Sequence, residues 1–276
     1  MKTVSVQNIE IGEKSPLAFF AGPCVIESRD HTLRMAEFIK KLGEETGASM
    51  IFKASYDKAN RSSVESYRGP GVEEGARIFE DVAAAFEIPI ITDVHEPWQV
   101  DIIKDVVDVL QVPAFLCRQT DLVVSIAESQ RVVNVKKGQF LAPWDMEQVI
   151  GKITSAGNEQ ILITERGASF GYNNLVSDMR AIPIMQDFDY PVVFDATHSA
   201  QLPGGQGETS GGMRSMIPYL SRASVAAGAN AIFMEVHDNP EQARSDSATQ
   251  WPLDKAKILI QQLQEIRTLV KGMEDI

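Results

Sequence analysis

Cysteine is scarce in this chain of 276 residues, in which Cys24 and Cys117 are the two examples. Two thiols at unrelated positions do not form the disulfide framework of a small secreted protein, so a reducing cytoplasm is the expected location. Long apolar runs are also lacking, since no stretch approaches the roughly 18 apolar residues that a membrane span requires. The first residues include a lysine but no apolar core, so we expect neither a signal peptide nor a membrane partner.

Positive charge is in short supply as well. Lysine and arginine together number 26 against 38 acidic residues, which gives a formal net charge of −12. This balance argues against nucleic acid as a partner, because a phosphate backbone requires a basic face. It does not exclude small phosphorylated ligands, since a few cations can dominate one cleft. The chain also has no Walker A motif, which disfavours nucleotide hydrolysis.

What the chain has instead is a repeated pattern in which a short apolar run ends at a polar residue. Between successive ends there is usually enough sequence for a helix, which is typical of a (β/α)8 (TIM) barrel of the α/β class. We predict a single barrel domain over residues 1–276, with residues 1–14 as a short N-terminal β-hairpin. The ends of the eight runs are Cys24, Lys53, Asp93 with His95, Gln111, Lys136, Arg166, His198, and Glu235 with His237.

The density of valine and isoleucine in these runs fits parallel strands that are buried on both faces. We expect a long loop over residues 55–71, basic and rich in serine, and loops of this length are often functional. The predicted strands cover residues 17–24, 50–54, 89–93, 107–112, 132–136, 161–164, 192–195 and 231–235. Predicted helices cover residues 32–42, 73–86, 99–106, 146–156 and 254–271.

Several cations should meet at one mouth of the barrel. Lys53, Lys136 and Arg166 end the second, fifth and sixth strands, and the carboxyl ends of barrel strands share one face. Other cations follow on nearby loops: Lys58, Arg61 and Arg118. Such a group indicates an anionic ligand with more than one charge, since arginine clamps phosphate or carboxylate in a bidentate manner and lysine supplies a point charge. The alternative is that these are solvated loop residues in surface salt bridges.

A metal site is a second hypothesis. Cys24, His198 and Glu235 end the first, seventh and eighth strands, which are neighbours in a closed barrel, and Asp246 lies on the following loop. Thiolate, imidazole and two carboxylates suit a borderline divalent ion such as zinc or iron. The spacing carries no local signature, so a buried structural cysteine beside hydrogen-bonded histidine and acids remains open.

Two further features have a functional and a structural interpretation. His95 follows Asp93 and is either a general base or substrate hydrogen-bond donor, or a structural cap of the third strand. The segment 198–212 is rich in glycine and is predicted to be a mobile lid, the alternative being a long surface loop. For His31, at a predicted helix start, we expect no chemical role.

The motifs of nearly the whole chain resemble the 3-deoxy-D-manno-octulosonate 8-phosphate synthase family. The matching stretches are Ala21-Gly22-Pro23-Cys24, residues 53–63, Tyr67-Arg68-Gly69-Pro70-Gly71, residues 91–96, residues 113–121, residues 134–137, Glu165-Arg166-Gly167, Phe170-Gly171-Tyr172, residues 195–198, Ser210-Gly211-Gly212 and residues 234–237. The resemblance implies condensation of phosphoenolpyruvate with D-arabinose 5-phosphate and water, giving the eight-carbon keto sugar phosphate and inorganic phosphate. In Gram-negative bacteria this product feeds lipopolysaccharide synthesis.

The resemblance also assigns roles. Lys136, Arg166 and Arg118 should hold phosphoenolpyruvate, with Arg118 acting across a subunit boundary of a homotetramer. Lys58 should lie near the reacting centre. The arabinose 5-phosphate end should be held by Asn60, Arg61 and Ser62. The remaining substrate-binding candidates are Lys53, Asp93, His95, Gln111 and Gln139, and the catalytic candidates are Lys58, His198, Asp246 and Cys24.

The family has a class that uses a divalent metal and carries cysteine after Ala-Gly-Pro, and a class with asparagine there that needs none. Cys24 and the stretch Ser245-Asp246-Ser247-Ala248-Thr249-Gln250 resemble the metal class. The implied ligands are Cys24, His198, Glu235 and Asp246, and the ion is zinc, iron, manganese or cobalt.

Three alternative functions remain open. The related shikimate-pathway synthase joins phosphoenolpyruvate to erythrose 4-phosphate, but it tends to carry Lys-Pro-Arg-Thr where this chain has Lys58-Ala59-Asn60-Arg61-Ser62-Ser63. A Schiff-base aldolase would use Lys53 or Lys136 to form a covalent adduct. A non-catalytic sugar-phosphate sensor would bind tightly without turnover.

Overall fold

The structure, a computed structural model, describes residues 1–61, 63–204 and 211–273. Eight of its strands are buried along their whole length or nearly so, because apolar residues occupy both faces. The strands are β1 (Val4–Val6), β2 (Ile9–Ile11), β3 (Ala18–Gly22), β4 (Ser49–Lys53), β5 (Ile90–Asp93), β6 (Val109–Val112), β7 (Val132–Lys136), β8 (Ile161–Glu165), β9 (Ala168–Ser169), β10 (Leu175–Val176), β11 (Val192–Asp195), β12 (Gln201–Leu202), β13 (Gly211–Gly212), β14 (Ala231–His237) and β15 (Trp251–Pro252). The helices are α1 (Arg29–Thr46), α2 (Val72–Phe86), α3 (Pro97–Ile103), α4 (Thr120–Glu128), α5 (Met146–Ser155), α6 (Ala181–Gln186), α7 (Ile217–Ala226) and α8 (Leu253–Lys271).

The main sheet closes on itself. Strands β3 to β8 pair in chain order, β8 pairs with β11, and β11 pairs with β14, all in parallel. The ring closes where β14 pairs with β3, with Glu235 opposite Gly22. The predicted (β/α)8 barrel is therefore confirmed, and the closure places the ends of the first, seventh and eighth barrel strands side by side.

The predicted N-terminal hairpin is confirmed too. Strands β1 and β2 pair antiparallel across a turn in which Gln7 has a φ of 51°. Their four apolar side chains are buried in the same cluster as the residues that fill the barrel interior. The hairpin thus covers the end of the barrel opposite the carboxyl ends of the strands, and the interior is a packed core.

The outer helices bury one stripe each against the barrel. In α1, Met35, Ala36 and Ile39 are fully buried at helical spacing, while the opposite face is polar. Ser28 accepts a hydrogen bond from the backbone N–H of His31 and so starts the helix, and Gly47 ends it in the left-handed conformation. These caps explain why α1 is longer at both ends than the predicted span of 32–42.

Several other predicted boundaries were wrong by a few residues. The first barrel strand is shorter than 17–24, and the fourth begins at Val109 rather than at residue 107. There the Asp108 carboxylate accepts the backbone N–H of Ile90, which ties the chain to β5 just before β6 begins. The predicted helix 99–106 instead starts at Pro97, a residue suited to the first helical turn, and ends at Ile103. None of the helices in the described ranges is long and apolar enough to cross a membrane.

Phe233 of β14 is the aromatic centre of the barrel interior. It is fully buried, and the Lys136 Nζ lies 3.7 Å from its ring centroid. We expect Phe233→Ala to lower the free energy of unfolding by about 3–5 kcal/mol, because it removes a ring from a core that cannot collapse around the gap. Guanidinium unfolding measures the loss. Phe233→Leu is the matched control and should lose less than about 2 kcal/mol, since most of the volume is kept; equal losses would contradict this packing argument.

Candidate active site

A cavity of about 430 Å³ opens at the carboxyl ends of the barrel strands. This is the face at which barrel enzymes carry their chemistry. The sequence-predicted residues that line it are Lys58, Asn60, Arg61, Asp93, His95, Lys136, Gln139, Arg166, His198 and Asp246. Ser62 was also predicted to bind substrate, but it lies outside the described residues.

Below the cavity, Lys53 ties two strand ends together. Its Nζ donates to the Glu235 Oε1 at 2.6 Å and to the backbone carbonyl of Cys24 at 2.8 Å, and the side chain is 1% exposed. A Cβ on Gly22, whose φ is 153°, would collide with the carbonyl of Lys53, so glycine permits this close approach of β3 and β4. Lys53 was predicted to bind substrate, and the structure places it as a buried partner of Glu235 instead of among the residues lining the cavity.

Lys58, on the loop after β4, lies above this pair. Its Nζ is 3.7 Å from the Glu235 Oε1 and 3.8 Å from the Asp93 Oδ2. Burial alone would lower the pKa of Lys58, but Cys24, Glu235 and Asp93 with Asp246 raise it well above the ordinary value. The side chain is therefore an ammonium ion at the floor of the cavity.

A second buried cation is held by an acid that sequence reasoning did not single out. Lys136 Nζ donates to the Asp195 Oδ2 at 2.6 Å, and the same oxygen lies 2.7 Å from the His198 Nδ1. Burial lowers the pKa of Lys136, while Asp195 opposes that shift. Asp195 also accepts the backbone N–H of His198 and so orients the imidazole ring. Its place at the end of β11 was the available signal, because strand ends carry function in this fold.

The floor between β5 and β8 is a chain of polar side chains. Asp93 accepts from the Ser55 Oγ at 2.6 Å and from Gln111. Gln111 accepts from Asn134 at 2.8 Å, and Asn134 accepts from Thr164 at 2.6 Å. Gln111 was predicted to bind substrate, and it does not line the cavity. It holds Asp93 in place, and linked buried hydrogen bonds of this kind fix one conformation.

Arg166 has hydrogen-bonding capacity to spare. It is 5% exposed, and its Nη2 donates to the Gln201 Oε1 at 3.3 Å. Its Nε and Nη1 have no hydrogen-bond partner in the described part of the chain, and neither has the Gln139 Oε1. Burial lowers the pKa of Arg166, with Asp195 and Asp246 opposing. A buried guanidinium with two unused donors beside a cavity is suited to bind an anion, since those N–H groups otherwise stay buried without a partner.

The long loop after β4 carries the other candidate anion seat. Arg61 Nε donates to the backbone carbonyl of Tyr67 at 3.0 Å, and its Nη2 donates to that of Arg244 at 3.2 Å. The guanidinium of Arg244 in turn lies 4.6 Å from the ring centroid of Tyr67. Asn60 is exposed at the rim beside Arg61. Two carbonyl bonds hold the Arg61 fork in one orientation while leaving donors for a ligand.

Four side chains at the other wall have the chemistry of a metal site. Ligand atoms of Cys24, Glu235 and Asp246 lie within 4.8 Å of one another, and the His198 Nε2 is 3.5 Å from the Glu235 Oε1 and from the Asp246 Oδ2. The buried Glu235 Oε2 has no hydrogen-bond partner among the described residues. Burial would raise the pKa of Glu235, but Lys53, His198 and Lys58 hold it at about 2. Thiol, imidazole and ionised carboxylates at these spacings fit a borderline divalent ion.

The loop after β14 is pinned so that Asp246 faces Cys24. Gln250 accepts the backbone N–H of Cys24 at 3.2 Å and donates to the carbonyl of Ser245 at 2.8 Å, while the Cys24 thiol donates to the Ser245 hydroxyl at 2.9 Å. Asp246 has a φ of 48°, in the left-handed region that non-glycine residues avoid. A strained residue held by its surroundings is common at functional sites.

His95 and Arg118 take different places. Burial lowers the pKa of His95, and its Nδ1 has no partner in the part of the chain described, although the ring lines the cavity. Arg118 is exposed after β6 and does not line the cavity of this single chain. Its predicted action across a subunit boundary stays a prediction. Residues 205–210 of the predicted lid lie outside the described residues, and on either side of them β12 pairs with β13.

The structure is a closed barrel whose cavity has buried cations, one of them with unused hydrogen-bond donors, above a cluster of thiol, imidazole and carboxylate groups. These features define a class of protein: a barrel enzyme for small anionic substrates. The sequence profile of the DAHP synthetase I family matches residues 1–273. The chain belongs to the DAHP synthetase I family.

Curated relatives are similar over almost the whole chain. A 2-dehydro-3-deoxyphosphooctonate aldolase of Geobacter sp. (strain M21) is 56% identical over 269 residues, which cover 98% of each chain. That of Geobacter sulfurreducens is 56% identical over 270 residues, covering 98% of this chain and 99% of its own. That of Protochlamydia amoebophila is 51% identical over 271 residues, covering 98% of each. The resemblance stated from the motifs is confirmed, and the shikimate-pathway alternative is related at the level of the family.

Proposed function

We propose that this protein condenses phosphoenolpyruvate with D-arabinose 5-phosphate and water to give 3-deoxy-D-manno-octulosonate 8-phosphate and inorganic phosphate, a step of Kdo and lipopolysaccharide synthesis. The observation that carries the proposal is Arg166, a buried guanidinium beside the cavity with two unused donors. The names of the relatives, 2-dehydro-3-deoxyphosphooctonate aldolase, give the same product class.

Phosphoenolpyruvate has two anionic groups, and the Lys136 side of the cavity has the matching cations. Arg166 and Lys136 are both buried and line it, with Gln139 beside them. Burial makes these cations strong binders of an anion, because the low surrounding dielectric strengthens every charge interaction. Arg118 is proposed to complete this seat from a neighbouring subunit.

The sugar phosphate fits the opposite side of the cavity. Asn60 and Arg61 line it, and Arg61 is held by the carbonyls of Tyr67 and Arg244. With phosphoenolpyruvate at Arg166 and the sugar phosphate at Arg61, the aldehyde carbon faces the enol carbon across the cavity floor where Lys58 lies. Binding both reactants in fixed positions removes much of the entropic barrier to their reaction.

The proposed reaction forms one carbon–carbon bond and breaks the C2–O bond of phosphoenolpyruvate. The C3 carbon of phosphoenolpyruvate attacks the aldehyde carbon, which forms the new carbon–carbon bond and leaves negative charge on the aldehyde oxygen. Lys58 is an ammonium of raised pKa at the cavity floor and stabilises that charge. Water adds to C2, and one of its protons goes to the aldehyde oxygen. The C2–O bond to phosphate then breaks, the hydroxyl left on C2 becomes the keto group, and its proton leaves with the phosphate.

Cys24, His198, Glu235 and Asp246 would hold a divalent ion, which is zinc, iron, manganese or cobalt. When bound, such an ion supplies a Lewis acid that polarises the aldehyde or activates water. Lys53 keeps Glu235 ionised, Asp195 orients His198, and Gln250 positions the loop of Asp246. Partners of this kind set the orientation of metal ligands and affect affinity.

A homotetramer in the cytoplasm is proposed as the working form. Two exposed aromatic side chains support a subunit contact: Phe115, three residues before Arg118, is 52% exposed, and Phe140 is 57% exposed. Large exposed apolar side chains at a rim are typical of contact surfaces. Light scattering gives the mass in solution, and cell fractionation gives the location.

The substrate assignment is tested by comparing two aldose phosphates in one assay of phosphate release from phosphoenolpyruvate. Turnover with arabinose 5-phosphate that exceeds turnover with erythrose 4-phosphate supports the proposal, and the reverse preference overturns it. Borohydride with pyruvate should trap no adduct, because Lys53 and Lys136 are both engaged by carboxylates. A trapped adduct would indicate the Schiff-base aldolase, and tight binding without turnover would indicate the sensor.

Arg61→Ala should raise the KM for arabinose 5-phosphate and lower kcat/KM by roughly 10- to 100-fold, the value of one charge-assisted hydrogen bond. The KM for phosphoenolpyruvate should change little. Arg68→Ala is the control from the same loop, since Arg68 is 57% exposed and pairs with Asp57. Steady-state kinetics with each substrate varied distinguish the two variants; an equal rise of both KM values in Arg61→Ala would contradict the assignment.

A further inference from the structure

Outside the active site, two histidines and a glutamate meet where the start of α1 packs against the end of β14. We call Glu27, His31 and His237 the rim cluster. One ligand atom of each lies within 4.8 Å of those of the other two, and the imidazole centroids of His31 and His237 are 4.7 Å apart. We infer that the rim cluster is a second divalent-cation site, separate from the set around Cys24.

The two histidines of the rim cluster are buried, and with the partly exposed Glu27 they are chemically suited to an ion such as zinc. His31 is 7% exposed and His237 is 3% exposed. Two imidazoles and one carboxylate are the ligands of many zinc sites, whereas calcium and magnesium prefer oxygen alone. The His237 Nε2 lies 3.2 Å from the Glu27 Oε1, which is close to the edge of roughly 3.3–3.6 Å that a tetrahedral zinc ion sets between ligand atoms.

His31 supplies an independent sign of a missing ligand. Its Nε2 is 3.1 Å from the Asp238 Oδ1, and its buried Nδ1 has no hydrogen-bond partner among the described residues. A buried nitrogen without a partner is costly. A histidine whose second nitrogen is held by a carboxylate is the usual arrangement at metal sites, because the carboxylate fixes the tautomer. Asp238 thus leaves Nδ1 as the ligand atom of His31.

His237 can also present its Nε2 to an ion. A lone pair on Nε2 requires the proton on Nδ1, which lies 3.1 Å from the carboxylate oxygen Oδ1 of Asp238. The backbone N–H of Asn239 now lies 2.9 Å from that Nδ1, but it is also 3.0 Å from the Asp238 Oδ1 and keeps an acceptor there.

An ion at the rim cluster would brace the active-site loop. Glu27 accepts the backbone N–H of Arg244 at 2.9 Å, and Ser245 and Asp246 follow directly in the chain. Occupancy joins α1, β14 and this loop, so it should raise the thermal stability of the protein, as any ligand bound by the folded state does.

The test is the number of zinc ions retained per chain after the full-length, metal-stripped protein is dialysed against zinc. We expect two in the unaltered protein, one in His31→Gln, one in Cys24→Ser and none in the double variant. His95→Gln is the matched control, because His95 also has a buried, unpartnered Nδ1 but has no place in the rim cluster, and it should retain two. With cobalt, His31→Gln should keep the thiolate charge-transfer band of Cys24 and lose one equivalent of ion.

Zinc counts that do not fall when His31 is replaced, either in the otherwise unaltered protein or in the Cys24→Ser background, would overturn the inference. Circular dichroism checks that each variant is folded, and Glu27→Gln replaces His31→Gln if that variant does not fold. These counts are independent of catalysis, so they stand or fall separately from the proposed condensation.

Discussion

Replacing Arg166 with methionine should lower kcat/KM for phosphoenolpyruvate by roughly 100- to 10,000-fold. The guanidinium is 5% exposed, with two donors unbonded among the described residues, so its value is realised only when an anion arrives. Removing one partner of a buried ion pair costs about 3–5 kcal/mol, and each 1.4 kcal/mol is a factor of ten. Steady-state kinetics with phosphoenolpyruvate varied measure the loss.

The same substitution should leave stability intact. The midpoint of thermal unfolding should stay the same or rise, because Arg166→Met removes a buried charge that forms one hydrogen bond, to Gln201, within the described structure. Arg166→Lys is the matched control, since it keeps the charge but not the bidentate fork. Its kcat/KM should lie between that of the unaltered protein and that of Arg166→Met. A normal kcat/KM in Arg166→Met would show that the anion binds elsewhere.

Replacing Cys24 with serine should reduce the affinity of the active-site set for zinc by at least about 100-fold, with turnover falling in parallel. Loss of a residue that only hydrogen-bonds to a metal ligand already lowers metal affinity by about 10- to 100-fold, so loss of the ligand itself should lower it further. A neutral hydroxyl also lacks the softness of the thiolate that zinc or iron favours. Metal content and activity of the purified variant are the measurements.

Cys117→Ser is the matched control, because Cys117 is the other free, buried cysteine and has no part in the ligand set. It should keep both metal and activity. Cys24→Asn is a second arm: the resemblance places asparagine at this position in the class that needs no metal, so the turnover of this variant should not respond to EDTA. Full turnover in Cys24→Ser stripped of metal would contradict the ligand role.

Much of the fold and site followed from the sequence because a parallel barrel ties position to role. Each strand is buried on both faces, so it is a short, continuous apolar run in the sequence, and the polar residue that ends the run can be recognised there. Lys136, Arg166 and Asp93 end such runs, and all three line the cavity. The seventh strand, Val192–Asp195, was bounded correctly from its composition alone.

Other features depend on contacts that no local pattern encodes. Lys53 also ends a strand. Glu235 comes within 2.6 Å of its Nζ only after the barrel closes, so Lys53 is a buried partner of Glu235 and does not line the cavity. Asp195 holds both Lys136 and His198 through side-chain geometry. Predicted boundaries were wrong where a single hydrogen bond sets the end of an element. For example, the hydrogen bond that Ser28 accepts from the His31 backbone starts α1 earlier than predicted. His31 was given no role because its partner His237 lies 206 residues away in sequence and adjacent in space.

The most direct test of the central claim is phosphate release from phosphoenolpyruvate with arabinose 5-phosphate, run with and without EDTA. The account predicts turnover that EDTA abolishes and an added divalent ion restores. Turnover that is indifferent to EDTA would keep the reaction but reduce Cys24, His198 and Asp246 to structural roles. No turnover in metal-loaded protein, with either aldose phosphate, would contradict the account.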